Sequence, residues 1–243
     1  MKACSLMDSE SFLSGAHVSD EVFELRPDYR ADIIVATGIN AHADQSDVSE
    51  LVQQAEDYAR QLLATTPVAE REHIASWREA FRAFGSKPSD YRNSAEALMK
   101  RAPNGLPRIN GLTDMYNALS VLHQTPLGGE NVDAYVGPPR LTRAVGDESF
   151  DTVSGGEDVV EHPSVGEVVW RDDQGVTCRR WNWRQCRRTQ LTDDTTNALF
   201  IIDTLDPLSE QQRNRVADDL TFWLARFGAE DIQRRSIHSG LAL

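Results

Sequence analysis

A short stretch rich in arginine and tryptophan places the strongest constraint on how this chain can fold. Between Arg179 and Arg188 it holds five arginines and two of the five tryptophans, although the formal net charge of all 243 residues is -13. It follows the apolar residues 168–170 and a polar turn that ends at Gly175, an arrangement typical of a β-hairpin. We therefore predict a strand over residues 176–185, paired with the strand predicted at residues 197–203 or with a neighbour of it.

Alternation of side chains along this strand would separate the two residue types. Trp181 and Trp183 would share a face that enters the core, whereas Arg180 and Arg184 would share the opposite face. A row of guanidinium groups suits phosphate, carboxylate or the edge of a nucleobase. The alternative is ordinary surface charge, with the arginines paired to the many carboxylates of an acidic chain. Ion pairing does not explain the tryptophan–asparagine–tryptophan spacing.

Length and composition allow one large globular domain or two small ones, because 40% of the residues are hydrophobic. No apolar run reaches the roughly 20 residues of a membrane span, and no apolar segment of the signal-peptide type follows the first residues. Three cysteines without zinc-type spacing fit a reducing compartment. We expect a cytoplasmic protein with no metal, no cofactor and no membrane partner. The acidic balance argues against strong, non-specific binding of nucleic acid but allows a small basic patch.

Strands and helices are mixed along the chain without strict alternation. Apolar runs at residues 33–39 and 197–203 predict buried strands, and short strands are predicted at residues 22–25 and 132–136. Residues 110–124 carry the apolar stripe of a helix. The fold class we predict is α+β, a single compact domain in which helices pack on a mixed β-sheet.

Two further segments have a clear local signature. Ser209 and Gln212 form a capping-box pattern that predicts the start of a helix. Residues 146–161 hold six acidic residues and no lysine or arginine, which predicts a solvated loop or lid.

No standard catalytic constellation is visible in the sequence. The glycine-rich nucleotide motifs, the zinc-protease motif and the serine-hydrolase motif are all absent. Cys178 and Cys186 have flanking arginines that could lower a thiol pKa, but no histidine lies near them in the sequence. Asp193 and Asp194 could position a water molecule, although a polar turn is the simpler interpretation. Catalytic residues therefore remain unassigned, and a catalyst of this kind would depend on substrate groups or backbone dipoles.

Several segments, taken in order, resemble one family. They are residues 77–85, 107–117, 126–129, 179–185 and 192–197. The set is similar to the tRNA-editing (B-three/B-four) domain of the phenylalanyl-tRNA synthetase β subunit, and more closely to its free-standing relatives. We accordingly divide the chain into residues 1–69, an N-terminal extension that packs on the domain, and residues 70–243, the editing-like domain.

The resemblance implies a reaction and a site. The synthetase domain hydrolyses tyrosine wrongly attached to the phenylalanine tRNA, so an aminoacyl-ended RNA is the implied ligand, and no ligase activity is implied. The implied substrate pocket consists of Asn117, Gly128, Gly129, Thr195, Thr196, Asn197 and Ile201. Gly128 and Ile201 stand where the synthetase has a pocket histidine and a glutamate that recognises the tyrosine hydroxyl. A pocket without a partner for that hydroxyl should not favour tyrosine.

Two function hypotheses from different classes follow. The first is a trans-acting editing hydrolase that deacylates misacylated tRNA and is not specific for tyrosine. The terminal adenosine of the bound tRNA would stack on an aromatic ring. The phosphates of that tRNA would contact Arg180, Arg184, Arg187 and Arg188. The second is a non-catalytic module that binds an amino acid, a nucleotide or an RNA 3′ end, which the acidic balance favours. A purely structural protein is the third possibility.

Overall fold

The computed structural model describes residues 9–43 and 45–240. Within these residues the helices are α1 Ser9–Gly15, α2 Asp20–Leu25, α3 Gln45–Leu63, α4 Glu72–Ala83, α5 Ser94–Arg101, α6 Gly111–His123 and α7 Glu210–Arg226. The strands are β1 His17–Val18, β2 Arg30–Thr37, β3 Leu127–Asn131, β4 Arg140–Arg143, β5 Phe150–Ser154, β6 Glu157–Glu161, β7 Val168–Arg171, β8 Val176–Arg179, β9 Arg184–Gln185, β10 Ala198–Thr204 and β11 Asp231–His238. The predicted α+β class is confirmed.

The centre of the molecule is a four-stranded antiparallel sheet in the order β11-β2-β10-β3. The two apolar runs recognised in the sequence form its middle strands, and every residue of β10 is buried. β2 belongs to residues 1–69, yet it is hydrogen-bonded between β10 and β11. The boundary at residue 70, predicted from the resemblance, stays a prediction.

Alternate residues of the two middle strands enter different cores, as a strand period of two requires. Ile34 and Phe200 point to a core that they share with α3, α6 and α7. Ile33 and Ile201 point to the opposite side, where α4 and the second sheet cover them. The central sheet therefore has helices on one face and a second sheet with α4 on the other. No helix in the described ranges is both long enough and apolar enough to cross a membrane.

The second sheet is mixed, in the order β1-β4-β7-β8-β9, with β1 and β4 parallel. The predicted strand at residues 176–185 is interrupted, because β8 ends at Arg179 and β9 begins at Arg184. Between them Arg180 and Trp181 adopt left-handed conformations with φ values of 47° and 67°. The predicted alternation is therefore wrong, and so is the pairing with residues 197–203, since β8 pairs with β7 and β9. The predicted burial of Trp181 is confirmed.

Three local predictions also need correction. Residues 22–25 belong to α2 because Asp20 and Glu21 place negative charge in the first turn of a helix rather than at the start of a strand. Residues 132–134 form a short 3-10 turn instead of a strand, with the Asn131 side chain accepting from the backbone N–H of Asp133. Most of the predicted acidic loop forms the hairpin of β5 and β6.

Candidate active site

A pocket of about 250 Å³ lies between α5, α6, β3, β10 and the turn at residues 180–183. It brings together four residues from the sequence-based site, namely Asn117, Gly128, Ile201 and Arg184. The other lining residues are Ser94, Ala97, Leu98, Tyr116, Leu127, Glu130, Trp170, Cys178, Trp181, Asn182, Trp183, Gln185 and Asp203. The wall is mostly apolar, and its polar groups converge from different elements.

Strand register explains why two of the predicted residues meet. Gly128 of β3 lies directly opposite Ile201 of β10, so both face the same side of the sheet. Asn117 reaches this point from α6, whose first turn is capped by the side chain of Asn110. The side chain of Asn117 is 8% exposed and makes no hydrogen bond to a described residue. Its amide is therefore free to donate to, and accept from, a ligand.

The two neighbouring glycines have different roles. A Cβ atom on Gly129 would lie 2.8–2.9 Å from the side chains of Leu191, Phe200 and Tyr116. Gly129 is thus required by close packing behind the pocket, and it does not line the pocket. A Cβ atom on Gly128 would meet only the terminal amide of Gln185, 2.9 Å away, and that side chain is flexible.

The predicted residues Thr195, Thr196 and Asn197 do not line the pocket. The backbone N–H of Thr192 donates to Thr195 Oγ1, and the N–H of Ile39 donates to the Thr196 carbonyl. The amide of Asn197 donates to the carboxylate of Asp133. About 13 Å of extended strand separates Asn197 from Ile201. These three residues connect loops at the far end of β10.

Two of the four predicted RNA-binding arginines are engaged within the protein, Arg180 buried and Arg188 half-buried. Arg188 donates from both terminal nitrogens to Asp172, at 2.8 and 2.9 Å. Arg180 stacks between two aromatic rings, 3.6 Å from the centroid of Tyr91 and 4.5 Å from that of Trp183. Neither guanidinium is presented to solvent as a phosphate ligand in this conformation.

The other two arginines are exposed and touch the acidic hairpin. Arg187 forms an ion pair with Asp158 of β6. Arg184 donates to the carbonyl of Val153 in β5, at 3.1 Å, and also lines the pocket. Ion pairing with the chain's own carboxylates, the alternative interpretation, thus describes Arg187 and Arg188. Arg184 is the arginine that faces the pocket.

The sequence-based site omitted Asp203, a buried carboxyl at the inner end of the pocket. Its two oxygens accept from the Tyr29 hydroxyl at 2.5 Å and from the Asn182 amide at 3.2 Å. Burial raises the pKa of Asp203 to about 7, although the hydrogen bonds from Tyr29 and Asn182 act in the opposite direction. The signal was present in the sequence, because a strand period of two places residue 203 on the same face as Ile201.

A second buried carboxyl, Glu130, was also missed. It accepts from the Tyr135 hydroxyl at 2.8 Å, from Thr189 Oγ1 at 2.7 Å and from the Gln185 amide at 3.5 Å. Burial raises the pKa of Glu130, and the hydrogen bonds from Thr189, Tyr135 and Gln185 lower it. It was missed because the family segment recognised in the sequence ends at residue 129, whereas the strand β3 continues to Asn131.

The turn at residues 180–183 shapes the inner end of the pocket. Its left-handed residue Trp181 packs edge-on against Tyr29 and Trp77, with ring centroids 4.9 and 5.3 Å apart. The next residue, Asn182, has a buried side-chain oxygen without a hydrogen-bond partner among the described residues. Backbone strain beside an unsatisfied buried acceptor is common at ligand sites.

The two thiols and two aspartates that the sequence offered as possible catalytic groups lie in different environments. Burial raises the pKa of the Cys178 thiol well above its ordinary value, and the nearby Glu130 and Asp203 raise it further. Burial raises the pKa of Cys186 to about 12. Neither thiol is poised as a nucleophile. Asp193 and Asp194 lie in an exposed turn. Within the described residues, no three His, Cys, Asp or Glu side chains cluster as metal ligands do.

Comparison with known proteins defines the family. A model of the B3/4 domain matches residues 76–234, more than half of the chain. This chain belongs to the B3/4 domain family. The resemblance to the B-three/B-four domain of the phenylalanyl-tRNA synthetase β subunit is thereby confirmed. No curated protein matches this B3/4 domain protein significantly.

One solved structure is similar in outline. It is an N-terminal fragment of the phenylalanyl-tRNA synthetase β subunit from Pyrococcus horikoshii, with 11% sequence identity and a TM-score of 0.44. The alignment covers 91% of the B3/4 domain protein and 53% of the fragment. The B3/4 domain protein therefore spans about half the length of that fragment.

Proposed function

We propose that this B3/4 domain protein binds the 3′ end of an aminoacyl-tRNA in the cytoplasm and hydrolyses the ester of a wrongly attached amino acid. The observation that carries the proposal is the small, largely apolar pocket with convergent polar groups. Sites for drug-sized ligands usually measure about 300–1,000 Å³. A pocket of about 250 Å³ suits one aminoacyl group.

The side chains around the pocket can contact different parts of an aminoacyl-tRNA 3′ end. Leu98, Leu127 and Ile201 offer apolar walls to an amino-acid side chain. Asn117, with its free amide, can hold the ester carbonyl or the attacking water. Trp183 is half-buried at the pocket and offers a ring on which the terminal adenine could stack. Arg184 faces the same pocket and can meet the terminal phosphate.

The reaction needs no covalent intermediate on the protein. Water attacks the ester carbonyl, the bond between the acyl carbon and the ribose oxygen breaks, and that oxygen leaves as a hydroxyl after taking a proton. The neighbouring ribose hydroxyl and Asn117 would orient the water. Such positioning is sufficient for a large rate increase when water is held in line with the carbonyl.

Deacylation by the purified protein tests this function. We expect hydrolysis of at least one misacylated tRNA in a panel that includes tyrosyl-, seryl-, threonyl- and valyl-tRNA. Replacing Asn117 by alanine should lower the rate by about 10²-fold, as the loss of one positioned hydrogen-bonding group does. The exposed Asn104 makes no side-chain hydrogen bond to a described residue, so Asn104→Ala is the matched control and should leave the rate unchanged. Hydrolysis that is insensitive to Asn117→Ala would overturn the assignment of this pocket.

The amino-acid preference stays a prediction. Gly128 and Ile201 remove the two family groups expected to recognise a phenol, which predicts slow hydrolysis of tyrosyl-tRNA. Asp203, however, places another acceptor on the same strand face. A preference for the tyrosyl ester in the panel would contradict the prediction and make Asp203 the candidate replacement acceptor.

A non-catalytic binding module is the second candidate function. In the described residues no nucleophile is hydrogen-bonded to a general base at the pocket, which favours this alternative. It predicts that the protein binds a charged tRNA end without shortening the lifetime of the ester. Protection of the ester in the same panel would support binding and exclude hydrolysis.

Contact with RNA phosphates has a separate test. Replacing Arg184 or Arg187 by alanine should weaken tRNA binding and reduce the slope of log affinity against log salt by about one for each lost contact. Arg60 is another exposed arginine, on α3 and paired with Asp57, and serves as the control. An unchanged slope for both Arg184→Ala and Arg187→Ala would exclude these arginines as phosphate ligands.

A further inference from the structure

The inner end of the pocket holds two buried carboxyl groups without a matching cation among the described residues. Asp203 and Glu130 are 3% and 2% exposed, and neither forms an ion pair with an arginine or lysine of the described residues. A buried carboxylate without a counter-charge is costly, which is why such groups are normally paired. The arginine that lines the pocket, Arg184, is exposed and donates to a backbone carbonyl of the hairpin.

The two carboxyls differ in how completely their hydrogen bonds are satisfied. Glu130 accepts from three side-chain donors, which is the pattern of a structural buried acid. Asp203 accepts from two, the Tyr29 hydroxyl at 2.5 Å and the Asn182 amide at 3.2 Å, and the side-chain oxygen of Asn182 is buried without a hydrogen-bond partner among the described residues. The inner end therefore presents two acceptors side by side, Asp203 and Asn182, to the space of the pocket.

Aromatic rings line the pocket around these acceptors. Trp170, Trp181, Trp183 and Tyr116 all contribute to the wall. The electron-rich face of an aromatic ring attracts cations, most strongly for tryptophan. The protein already uses this attraction beside the pocket, where the Arg180 guanidinium stacks between the rings of Tyr91 and Trp183. An acid without a counter-charge and an aromatic wall together suit an ammonium ion.

We propose that the pocket recognises its ligand through an ammonium group, which Asp203 and the side-chain oxygen of Asn182 hold against the tryptophan wall. This inference deepens the proposed function and rests on it for the class of ligand, an aminoacyl group. The ammonium is either the α-amino group or the end of a basic side chain. The ligand then lies with its cation inside and its phosphate-bearing end toward Arg184.

Three amides that share one carbon skeleton separate the possible sources. Norleucinamide carries only an α-ammonium, N-acetyl-lysinamide carries only a side-chain ammonium, and N-acetyl-norleucinamide is neutral. Isothermal titration should show that at least one of the two cationic amides binds about tenfold or more tightly than the neutral amide. The member that binds more tightly identifies the source of the ammonium.

Asp203→Asn is the decisive variant, because asparagine has the same shape and can still accept from Tyr29. It should abolish the preference for the cation, whereas Asp218→Asn, an equal charge change on the exposed face of α7, should preserve it. Binding of all three amides with equal affinity, a cation preference that survives Asp203→Asn, or no binding of either cationic amide at about 10 mM would each overturn the inference.

A second measurement uses the unaltered protein. The ionisable groups that line the pocket with Asp203 are Glu130, Tyr116, Cys178 and Arg184. Since Asp203 has a pKa of about 7, a bound cation should expel a proton from it near neutral pH. Titrations in buffers of different ionisation enthalpy should therefore report proton release with the cationic amide and none with the neutral amide. Absence of that difference contradicts the inference even if Asp203→Asn does not fold.

Failure of this inference and failure of the proposed function give different results. Cation-dependent amide binding without hydrolysis of any aminoacyl-tRNA would retain the ammonium site and exclude the editing reaction. Hydrolysis that depends on Asn117 but is indifferent to acetylation of the α-amino group, together with no binding of the lysine amide, would retain the reaction and exclude the ammonium site.

Discussion

Replacing Arg188 by alanine is expected to lower the free energy of unfolding by about 3–5 kcal/mol, the usual cost of removing one partner of a buried ion pair. Its partner Asp172 is 0% exposed and accepts from both terminal nitrogens of the guanidinium. Backbone N–H groups of Val136, Gln174 and Gly175 also donate to this carboxylate. Without Arg188 the carboxylate would stay buried with its charge uncompensated.

The adjacent Arg187 is the matched control. It forms its ion pair with Asp158 on the surface, where both side chains are about half exposed or more. Exposed pairs contribute roughly 0–1 kcal/mol, so Arg187→Ala should unfold at nearly the same denaturant concentration as the unaltered protein. Urea unfolding of the two variants makes the comparison. Equal stability of the two would contradict the structural role of Arg188 and restore it as a candidate RNA ligand.

The difference between these two arginines bears on the basic stretch as a whole. In this acidic chain, the hairpin of β5 and β6 supplies carboxylates that pair with the arginines of the basic stretch. Asp158 and Glu161 of β6 pair with Arg187 and Arg179. An RNA phosphate would therefore have to replace Asp158 to reach Arg187, whereas Arg184 donates to a backbone carbonyl and lies over the Trp183 ring, without an ion pair among the described residues. Of the predicted RNA-binding arginines, Arg184 is thus the most accessible.

Local patterns in the sequence predicted those strands and helices whose signal lies within the element itself. The strands β2 and β10 were recognised because a buried strand is apolar along its whole length. The helix α7 was recognised by its capping box, which the side chains of Ser209 and Gln212 form as predicted. In these cases the signal and the structure lie in the same few residues.

The turn at residues 180–183 could not be predicted in that way. Tryptophan and arginine rarely adopt positive φ, which costs roughly 1–2 kcal/mol per residue. Tertiary packing overrides this preference, because Trp181 is fully buried against Tyr29 and Trp77 from distant parts of the chain. The backbone bond from Ser94 to the Asn182 carbonyl fixes the turn further. None of these partners is visible in the stretch itself.

The sequence placed only some of the predicted substrate-binding residues at the pocket that the structure forms. Asn117, Gly128 and Ile201 were found because the order of family segments placed them together, and they do line one pocket. The same segments suggested Thr195, Thr196 and Asn197, whose side chains or carbonyls instead connect loops. The strand period already placed Asp203 on the face of Ile201, but its burial and that of Glu130 depend on how distant segments pack, which the sequence does not show.

Replacing Asp203 by asparagine is expected to stabilise the protein increasingly as pH rises from about 4 to about 7. The folded-state pKa of Asp203 is about 7, against an ordinary value of 3.8. Between these two values the folded protein holds a proton that the unfolded chain has lost. In the unaltered protein, the contribution of Asp203 to the free energy of unfolding is therefore fully present below the unfolded pKa of 3.8. It is lost as pH rises to the folded pKa of about 7. Each pKa unit is worth about 1.4 kcal/mol, so the full loss amounts to several kcal/mol.

Asparagine at position 203 cannot ionise, and it retains an oxygen for the Tyr29 hydroxyl. Thermal unfolding across this pH range should therefore show a melting temperature difference, variant minus unaltered protein, that grows with pH and levels off above about pH 7. Groups whose pKa is lowered by folding, such as Asp172 and Asp28, give the opposite pH dependence in both proteins and cancel in the difference. The exposed Asp218→Asn should give a flat difference. A flat difference for Asp203→Asn as well would mean that its carboxyl ionises in the folded protein as easily as in the unfolded chain, and the acid at the inner end of the pocket would then carry full charge throughout this range.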